Sequence, residues 1–210
     1  MHATTVMVME AAPASRHALT KGQRTRERLL NAAVARFGED GYRATSVSQL
    51  SRDAGLTPAA AYAYFEDKDA VWAAAVQADL DELSDEIVDI AMADPQPIFA
   101  LLRGLVQGLD RHPLARRVLA EGDLADLRLV LDHRLFADTT ERLIETFVAR
   151  KAAGVLAPDA DPEVLARGLE TIFFSLIVSS VRGGMMADAD RMRAVIEVLR
   201  SAVGGGPTQA

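Results

Sequence analysis

The sequence predicts an all-α protein of about nine helices, because apolar residues recur at helical spacing along most of its 210 residues. No window shows the sustained alternation of apolar and polar residues that half-buried strands produce. Glycine and proline separate the periodic stretches, as they do where helices end in short loops. We therefore expect a small N-terminal domain of three helices, followed by a larger bundle of helices.

These breaks divide the chain into four segments. Residues 1–19 have no helical period and predict a flexible tail. Residues 20–66 predict the small domain, and residues 67–203 predict the larger one. Residues 204–210 begin with three glycines and a proline, which predicts a second flexible tail.

Capping residues and glycines predict the bounds of the first two helices. The first helix is predicted to begin near Thr20 and to end at Gly38 and Gly41. Residues 45–46 cap the second helix, and Gly55 closes it.

The third helix is very short and has an unusual composition. Thr57 is a natural N-cap, and Pro58 occupies the first helical position, where its missing N–H costs nothing. Three alanines follow, and two tyrosines and a phenylalanine lie within 59–65. With the Gly55 turn, the second and third helices form a helix-turn-helix.

The rest of the chain predicts six further helices. Their expected bounds are 67–92, from about 98 to 111, a short helix from His112-Pro113, 124–153, 163–182 and 188–203.

Charge is distributed unevenly along the chain. The whole sequence has a net charge of −7. Eight Lys/Arg and three acidic residues lie between Arg16 and Arg52, a local excess of five positive charges, so the remainder sums to −12. A basic head on an acidic body is what a protein needs to present one face to phosphates.

Several classes of protein are disfavoured by the residues that are missing. The chain has no cysteine, and its four histidines do not have the spacing of metal ligands. No nucleophile elbow, P-loop or dinucleotide motif occurs, so we expect neither enzymatic activity nor a cofactor. The longest apolar run, 172–181, contains three serines and is too short to span a bilayer, so we expect a cytoplasmic protein without membrane contact.

The stretch from Thr25 to Trp72, TRERLLNAAVARFGEDGYRATSVSQLSRDAGLTPAAAYAYFEDKDAVW, resembles the DNA-binding domain of the tetracycline-repressor-like (TetR) family. The resemblance includes the Gly-Tyr-x-x-Thr turn, the Ala-Gly-Leu-Thr turn, the Tyr-x-Tyr-Phe end and the lysine after it. It implies that the chain binds double-stranded DNA through its second and third helices. The remaining two-thirds matches the family only in its helix pattern.

The resemblance implies a set of DNA-binding residues, in which Thr45, Tyr64 and Lys68 contact phosphates. The small side chains of the third helix let it approach the major groove closely. The chain departs from the family at Ser48 and Ala63, and at Pro58, where Lys or Arg is frequent. The full candidate set is Arg43, Thr45, Ser46, Gln49, Thr57, Pro58, Ala59, Ala60, Tyr62, Tyr64 and Lys68.

The helix at 163–182 is apolar nearly all round, which predicts burial on every side. One stripe of mostly small residues would let another helix approach closely: Gly168, Ile172, Ser175 and Ser179. The stripe suits either a central core helix or a dimer interface shared with 188–203. The resemblance implies the interface, and hence a homodimer.

The resemblance also implies a ligand pocket within the larger domain. We expect it to be apolar, with Arg103 or Glu170 as its polar contact, and to accept a small hydrophobic effector. The candidate lining is Trp72, Val76, Phe99, Leu102, Arg103, Val106, Phe136, Leu143, Phe147, Glu170 and Phe173.

The leading interpretation is a ligand-responsive transcriptional repressor that binds a palindromic operator as a homodimer and is released by its effector. One alternative is a DNA-binding adaptor controlled by a protein partner, with no small ligand. Another is an enzyme fused to a helix-turn-helix, which the missing catalytic motifs disfavour.

Overall fold

The computed structural model describes residues 20–92, 97–183, 190, 193–194 and 197–198, and within them the chain forms nine α-helices and no strand. The helices are α1 Lys21–Ala44, α2 Val47–Asp53, α3 Pro58–Ala61, α4 Lys68–Met92, α5 Pro97–Gly108, α6 Pro113–Glu121, α7 Leu124–Leu131, α8 Arg134–Ala152 and α9 Pro162–Gly183. The predicted all-α class is confirmed. The expected helix at 188–203 and both tails lie outside the continuously described ranges.

Helix α1 starts where predicted but continues beyond its expected end. Thr20 and Gln23 form a reciprocal capping box at its start. Gly41 breaks the helical geometry with a φ of 81°, a conformation that suits glycine. The sequence predicts that the helix ends at Gly38, but the helix continues past this residue. Gly38 is buried where α1 meets α6, and an added Cβ would lie 3.1 Å from both the Leu114 nitrogen and the Pro113 Cγ.

The helix-turn-helix forms as the caps predict. Ser46 and Gln49 form a capping box at the start of α2, and the Thr57 hydroxyl accepts a hydrogen bond from the Ala60 amide at the start of α3. Between the helices, Gly55 adopts a φ of 65°. This short turn joins the two helices without a long loop.

The core of the small domain continues into the larger one. Leu29, Phe37 and Leu50 are fully buried between the first helices. The Phe37 ring packs edge-on against Trp72 of α4, with their centroids 5.1 Å apart. Helix α1 also packs against α4 and α6, so the small domain is in direct contact with the larger one.

The predicted helix at 124–153 is two helices, so that expectation was wrong. His133 is extended (φ −69°, ψ 146°), and its Nδ1 accepts a hydrogen bond from the Leu135 amide as the N-cap of α8. Apolar periodicity continues through this turn and so hides it. The fifth helix likewise ends at Gly108, earlier than the expected Arg111.

The sequence predicts that the helix at 163–182 is buried on every side. That prediction was wrong, because one face of α9 is exposed within a single chain. Its inner face, including Leu169, Phe173 and Ile177, packs on the rest of the larger domain, mainly on α8. Its outer face leaves Val164 and Ile172 exposed, by 66% and 44%. By length and composition alone, α9 is the one helix of the described residues that could cross a membrane.

Candidate nucleic-acid interface

The outer face of the helix-turn-helix is made of small side chains. Thr57, Pro58 and Ala59 are exposed, Ala60 is half-buried, and Ala61 is packed inward with 1% exposure. Small residues on the outside of α3 allow its backbone to approach a surface closely. Ala61 meanwhile anchors the helix to the core.

The aromatic end of α3 separates into anchoring and accessible rings. Phe65 is buried, and the Arg26 guanidinium lies 5.0 Å from the centre of its ring. Tyr62 is 57% exposed and Tyr64 is half-buried. Their placement leaves Tyr62 the most accessible of the predicted phosphate-contacting side chains on this helix.

Thr45 is held in a structural role. Its side chain is buried (3% exposed), and its hydroxyl donates a 2.8 Å hydrogen bond to the Gly41 carbonyl oxygen. The predicted phosphate contact would require the hydroxyl to leave this bond. The neighbouring Ser46 and Arg43 are exposed at the same end of the domain.

Gln49 is partly committed to the capping box of α2. Its Oε1 accepts hydrogen bonds from the Ser46 amide at 2.8 Å and the Ser46 hydroxyl at 2.7 Å. The carbonyl end of the side chain is thus used within the protein. The amide N–H end can still donate to a phosphate oxygen or to an acceptor atom on a base edge.

Lys68, the first residue of α4, lies over an aromatic ring. Its Nζ is 4.0 Å from the centre of the Tyr42 ring. The Tyr42 hydroxyl donates to the Asp69 carboxylate, and this bond, with burial second, raises the pKa of Tyr42 to about 12. The face of the neutral ring attracts the ammonium.

Arg28 and Arg117 were not among the predicted site residues, and each joins parts of the fold. Arg28 Nε donates to the Ala54 carbonyl at 3.2 Å, which ties α1 to the helix-turn-helix turn. Arg117 of α6 donates to the carbonyls of Gly38 at 3.0 Å and Glu39 at 2.9 Å, near the end of α1. All three bonds go to backbone carbonyls, which no side-chain pattern in the sequence reveals.

A buried polar pair joins α4 to α6. The Asp79 carboxylate accepts from His112 Nδ1 at 2.9 Å and from the Ala115 amide at 2.7 Å. Asp79 thus caps the start of α6, although His112 is its N-cap residue. Within the described part of the chain, no cluster of His, Asp and Glu side chains has the geometry of a metal site.

A small apolar cavity of about 30 Å³ lies between α5, α8 and α9. Three of the predicted pocket residues line it: Phe136, Glu170 and Phe173. Glu170 accepts a 2.8 Å hydrogen bond from the Thr140 hydroxyl. Five lining residues were missed by the sequence analysis: Leu101, Leu105, Leu135, Thr139 and Ile177.

The other predicted pocket residues lie elsewhere. Val76, Leu143 and Phe147 are core residues, Val106 is half-buried and Arg103 is exposed. Trp72 lies at the junction with the small domain and donates to Asp126 at 2.7 Å. The side chains of Phe99 and Leu102 are outside the described part of the structure. Apolar residues of a core and of a pocket have the same periodicity, so the sequence could not separate them.

The small-residue stripe of α9 faces outward. Gly168, Ile172 and Ser175 are exposed, and Ser179 is half-buried. A Cβ added at Gly168 would have no neighbour within 4 Å. The stripe is therefore open to a second molecule.

Together, these observations describe a capped helix-turn-helix with an accessible outer face and a helical body packed directly on it, an arrangement suited to contact with DNA. Residues 29–75 match the family model described as bacterial regulatory proteins, tetR family. Over these residues the chain is similar to the DNA-binding domains of that family.

Similar proteins match the chain along most of its length. It is 24% identical over 185 residues to the HTH-type transcriptional repressor Rv1474c of Mycobacterium tuberculosis (strain ATCC 25618 / H37Rv), covering 85% of this chain and 92% of that protein. The fold resembles the SmeT–triclosan complex, with a TM-score of 0.58, 22% identity and coverage of 90% and 99%; SmeT is from Stenotrophomonas maltophilia. It also resembles FadR from Bacillus subtilis in complex with stearoyl-CoA, with a TM-score of 0.59, 13% identity and coverage of 87% and 100%.

Proposed function

We propose that the chain is a ligand-responsive repressor that binds a palindromic DNA operator as a homodimer and is released by a small hydrophobic effector. The observation that carries DNA binding is the accessible outer face of the helix-turn-helix, on a segment with an excess of positive charge. Residues 20–66 would form the DNA-binding domain, and residues 67–203 the effector-binding and dimerisation domain.

Reading of bases would rely on shape and methyl contacts. The exposed part of α3 offers Thr57, Pro58 and Ala59, none of which can make a bidentate hydrogen bond to a base. Alanine side chains instead suit contact with thymine methyl groups. Hydrogen-bonding specificity would then come from Arg43 and the amide end of Gln49.

DNA binding is tested by selecting bound sequences from a random pool of duplexes with the full chain. We expect an enriched palindrome, because two identical recognition helices related by a two-fold axis read inverted half-sites. Ala59→Asp should weaken binding to the selected duplex at least about tenfold, since a carboxylate would face the DNA. Ala137→Asp, on an exposed position of α8, is the matched control. Equal effects of the two substitutions would contradict the assignment of α3 to DNA.

The homodimer is supported by the outer face of α9. That face exposes Ile172 beside Gly168 and Ser175, so a partner helix can approach closely and bury apolar surface. An isologous contact there would relate two DNA-binding domains by a two-fold axis. The segment 188–203, predicted to share the interface, follows α9 directly.

The effector site is supported by the cavity between α5, α8 and α9. Phe136, Phe173 and Ile177 give it an apolar wall, and Glu170 gives it a single acidic group. Its 30 Å³ holds about one water molecule, so an effector must separate these helices to enter. Structures of SmeT with triclosan and of FadR with stearoyl-CoA support a hydrophobic effector for this fold.

The effector proposal is tested by measuring thermal shifts with a panel of neutral, cationic and anionic hydrophobic compounds that includes triclosan and stearoyl-CoA. The binding affinity for the selected duplex is then measured with each hit. A true effector should lower that affinity by its coupling free energy, typically about 1–3 kcal/mol. Hits that stabilise the fold without changing DNA affinity would contradict effector control.

The small volume of this cavity favours one other candidate function, a DNA-binding adaptor controlled by a protein partner. Such an adaptor needs no cavity in its larger domain. The thermal-shift panel, followed by the DNA-affinity measurement, distinguishes the two functions. For an adaptor, no compound in the panel should release the DNA.

A further inference from the structure

A cleft of about 870 Å³ lies between the DNA-binding domain and the larger domain, apart from the cavity between α5, α8 and α9. One wall is the end of α1 and the start of α4, with Tyr42, Asp69 and Trp72. The other wall comes from α6 and α7, including Glu121 and Asp126. Its volume lies within the roughly 300–1,000 Å³ typical of small-molecule sites.

The lining carries an excess of negative charge. It contains two guanidinium groups and five carboxylates, which are Arg43, Arg117, Asp40, Asp69, Glu121, Asp123 and Asp126. Two of the carboxylates pair with arginines, Asp40 with Arg36 at 3.0 Å and Glu121 with Arg117 at 2.9 Å. The other three accept hydrogen bonds from neutral groups.

These donors carry no charge, so the positive groups near the three carboxylates are Arg43 on the lining and the Lys68 ammonium, 4.0 Å from the centre of the Tyr42 ring. Asp69 accepts from the Tyr42 hydroxyl, Asp126 from Trp72 Nε1 at 2.7 Å, and Asp123 from the amide of the second residue of α7 at 2.8 Å. The raised pKa of Tyr42 has the Asp69 hydrogen bond as its first cause, and the charge of Asp126 acts in the same direction.

We propose that this cleft binds a hydrophobic organic cation that contacts both domains at once. The carboxylates would pair with its charge, and the indole edge of Trp72 and the ring of Tyr42 would pack against its apolar part. The Tyr42 ring already attracts the ammonium of Lys68, at 4.0 Å from its centre. Among the described residues no side-chain cluster could hold a metal ion, so an organic cation fits better than a bare one.

A cation held in this cleft would be sensitive to the angle between the domains. Its differential affinity for two angles would shift their populations. Any effect on operator binding rests on the proposed function, but the binding of the cation does not.

The test uses two probes of the same shape and opposite charge, tetraphenylphosphonium and tetraphenylborate, with the DNA-free full chain. Trp72 is the one tryptophan of the sequence and lines the cleft, so its emission reports occupancy there. We expect the phosphonium to bind, measured by calorimetry, and to shift the Trp72 emission. We expect the borate to bind at least about tenfold more weakly.

Two variants test the site itself. Asp69→Asn with Asp126→Asn removes two charges but keeps an acceptor oxygen for Tyr42 and Trp72, and should weaken phosphonium binding at least about tenfold. Ala125→Phe fills the cleft from α7 without changing its charge and should also abolish binding. The matched control is Glu82→Gln with Asp159→Asn, at two exposed positions outside the cleft. Thermal melts confirm that each variant is folded.

Equal binding of the two probes would overturn the proposal, as would unchanged phosphonium affinity in either cleft variant. Because these measurements need no DNA, they are independent of the proposed function. If the cation binds the cleft but the chain selects no palindrome, the proposed function fails and the cleft site stands.

Discussion

Gly38 lies where α1 and α6 touch, and it has no room for a side chain. An added Cβ would lie 3.1 Å from the Leu114 backbone nitrogen and from the Pro113 ring, closer than nine in ten real Cβ contacts. We expect Gly38→Ala to lower the free energy of unfolding by about 1–3 kcal/mol, because the two helices must separate. Urea unfolding measures this effect.

Gly22 gives the matched control, since a Cβ there would have no neighbour closer than 4.0 Å. Gly22→Ala should be neutral or stabilising, because alanine favours the helix by up to about 1 kcal/mol over glycine. Equal destabilisation by both substitutions would show that the contact between α1 and α6 is not the cause.

His133 gives the stability of the protein a dependence on pH. Burial lowers the pKa of His133, although Asp81 and Asp138 act in the opposite direction and Arg134 adds to the lowering. Its Nδ1 accepts from the Leu135 amide, so in the neutral ring the proton is on Nε2, toward Asp81 at 3.2 Å. The folded state therefore favours the neutral imidazole.

We expect the unfolding free energy to fall as the pH falls below about 6.5, the usual histidine pKa, because the unfolded chain then binds a proton that the folded one resists. The loss should continue until the pH reaches the lower folded-state pKa. His133→Asn keeps an N-cap acceptor but does not titrate, so it should flatten this part of the profile. Urea unfolding at several pH values measures it, and an unchanged profile in the variant would contradict the prediction.

Arg117 is the polar contact by which α6 holds the end of α1. Its guanidinium donates to two successive carbonyls, of Gly38 and Glu39, which the single ammonium of lysine cannot match. We expect Arg117→Lys to lower stability by about 1–2 kcal/mol and to speed hydrogen exchange near the end of α1. Arg116→Lys is the control, because Arg116 is exposed and its guanidinium pairs with the exposed Asp110 at 2.9 Å. Similar exchange in both variants would contradict a specific role for Arg117.

The outer face of α9 is the proposed dimer contact. Ile172→Arg or Ser175→Arg should give monomers, because a charge in an apolar interface without a partner is strongly unfavourable. Leu124→Arg is the control, since Leu124 is 86% exposed on α7. Sedimentation measures the outcome, and an unchanged dimer in the α9 variants would place the interface elsewhere.

Element by element, the sequence predicts helices well where caps are local and poorly where tertiary contacts decide. Thr20, Ser46 and Thr57 are all observed as N-caps, because each bond spans only three residues. The break at His133 was missed, since apolar periodicity runs through it. The role of Gly38 was missed too, because it depends on a helix that lies 75 residues later in the chain.

At the scale of the whole molecule, charge separation between head and body predicts how DNA binding responds to salt. About 6–10 phosphate contacts would lower the affinity by roughly 10³–10⁵ between 50 and 200 mM salt, through release of counterions. Fluorescence anisotropy with the selected duplex measures this slope. A flat dependence would contradict the proposed phosphate contacts of Tyr62, Tyr64 and Lys68.

The candidate DNA-binding face could be predicted from sequence because most of it lies within two short helices and their caps. The lining of the cavity could not, since it combines α5, α8 and α9, which only the fold brings together. Trp72 illustrates the difference. Because Trp72 is apolar, the sequence predicts that it lines the effector pocket. Its contacts with Phe37 and Asp126 instead place it at the junction of the domains.

The ammonium of Lys68 over the Tyr42 ring means that the protein carries a competitor for any phosphate that this lysine contacts. To bind a phosphate, Lys68 would have to leave the Tyr42 ring. Its contribution to the operator affinity would then be the difference between the free energies of these two contacts. The two partners respond unequally to ions, because salt screens a pair of full charges more than contact with a neutral ring. Added salt would thus return the lysine to the ring and sharpen the release of DNA.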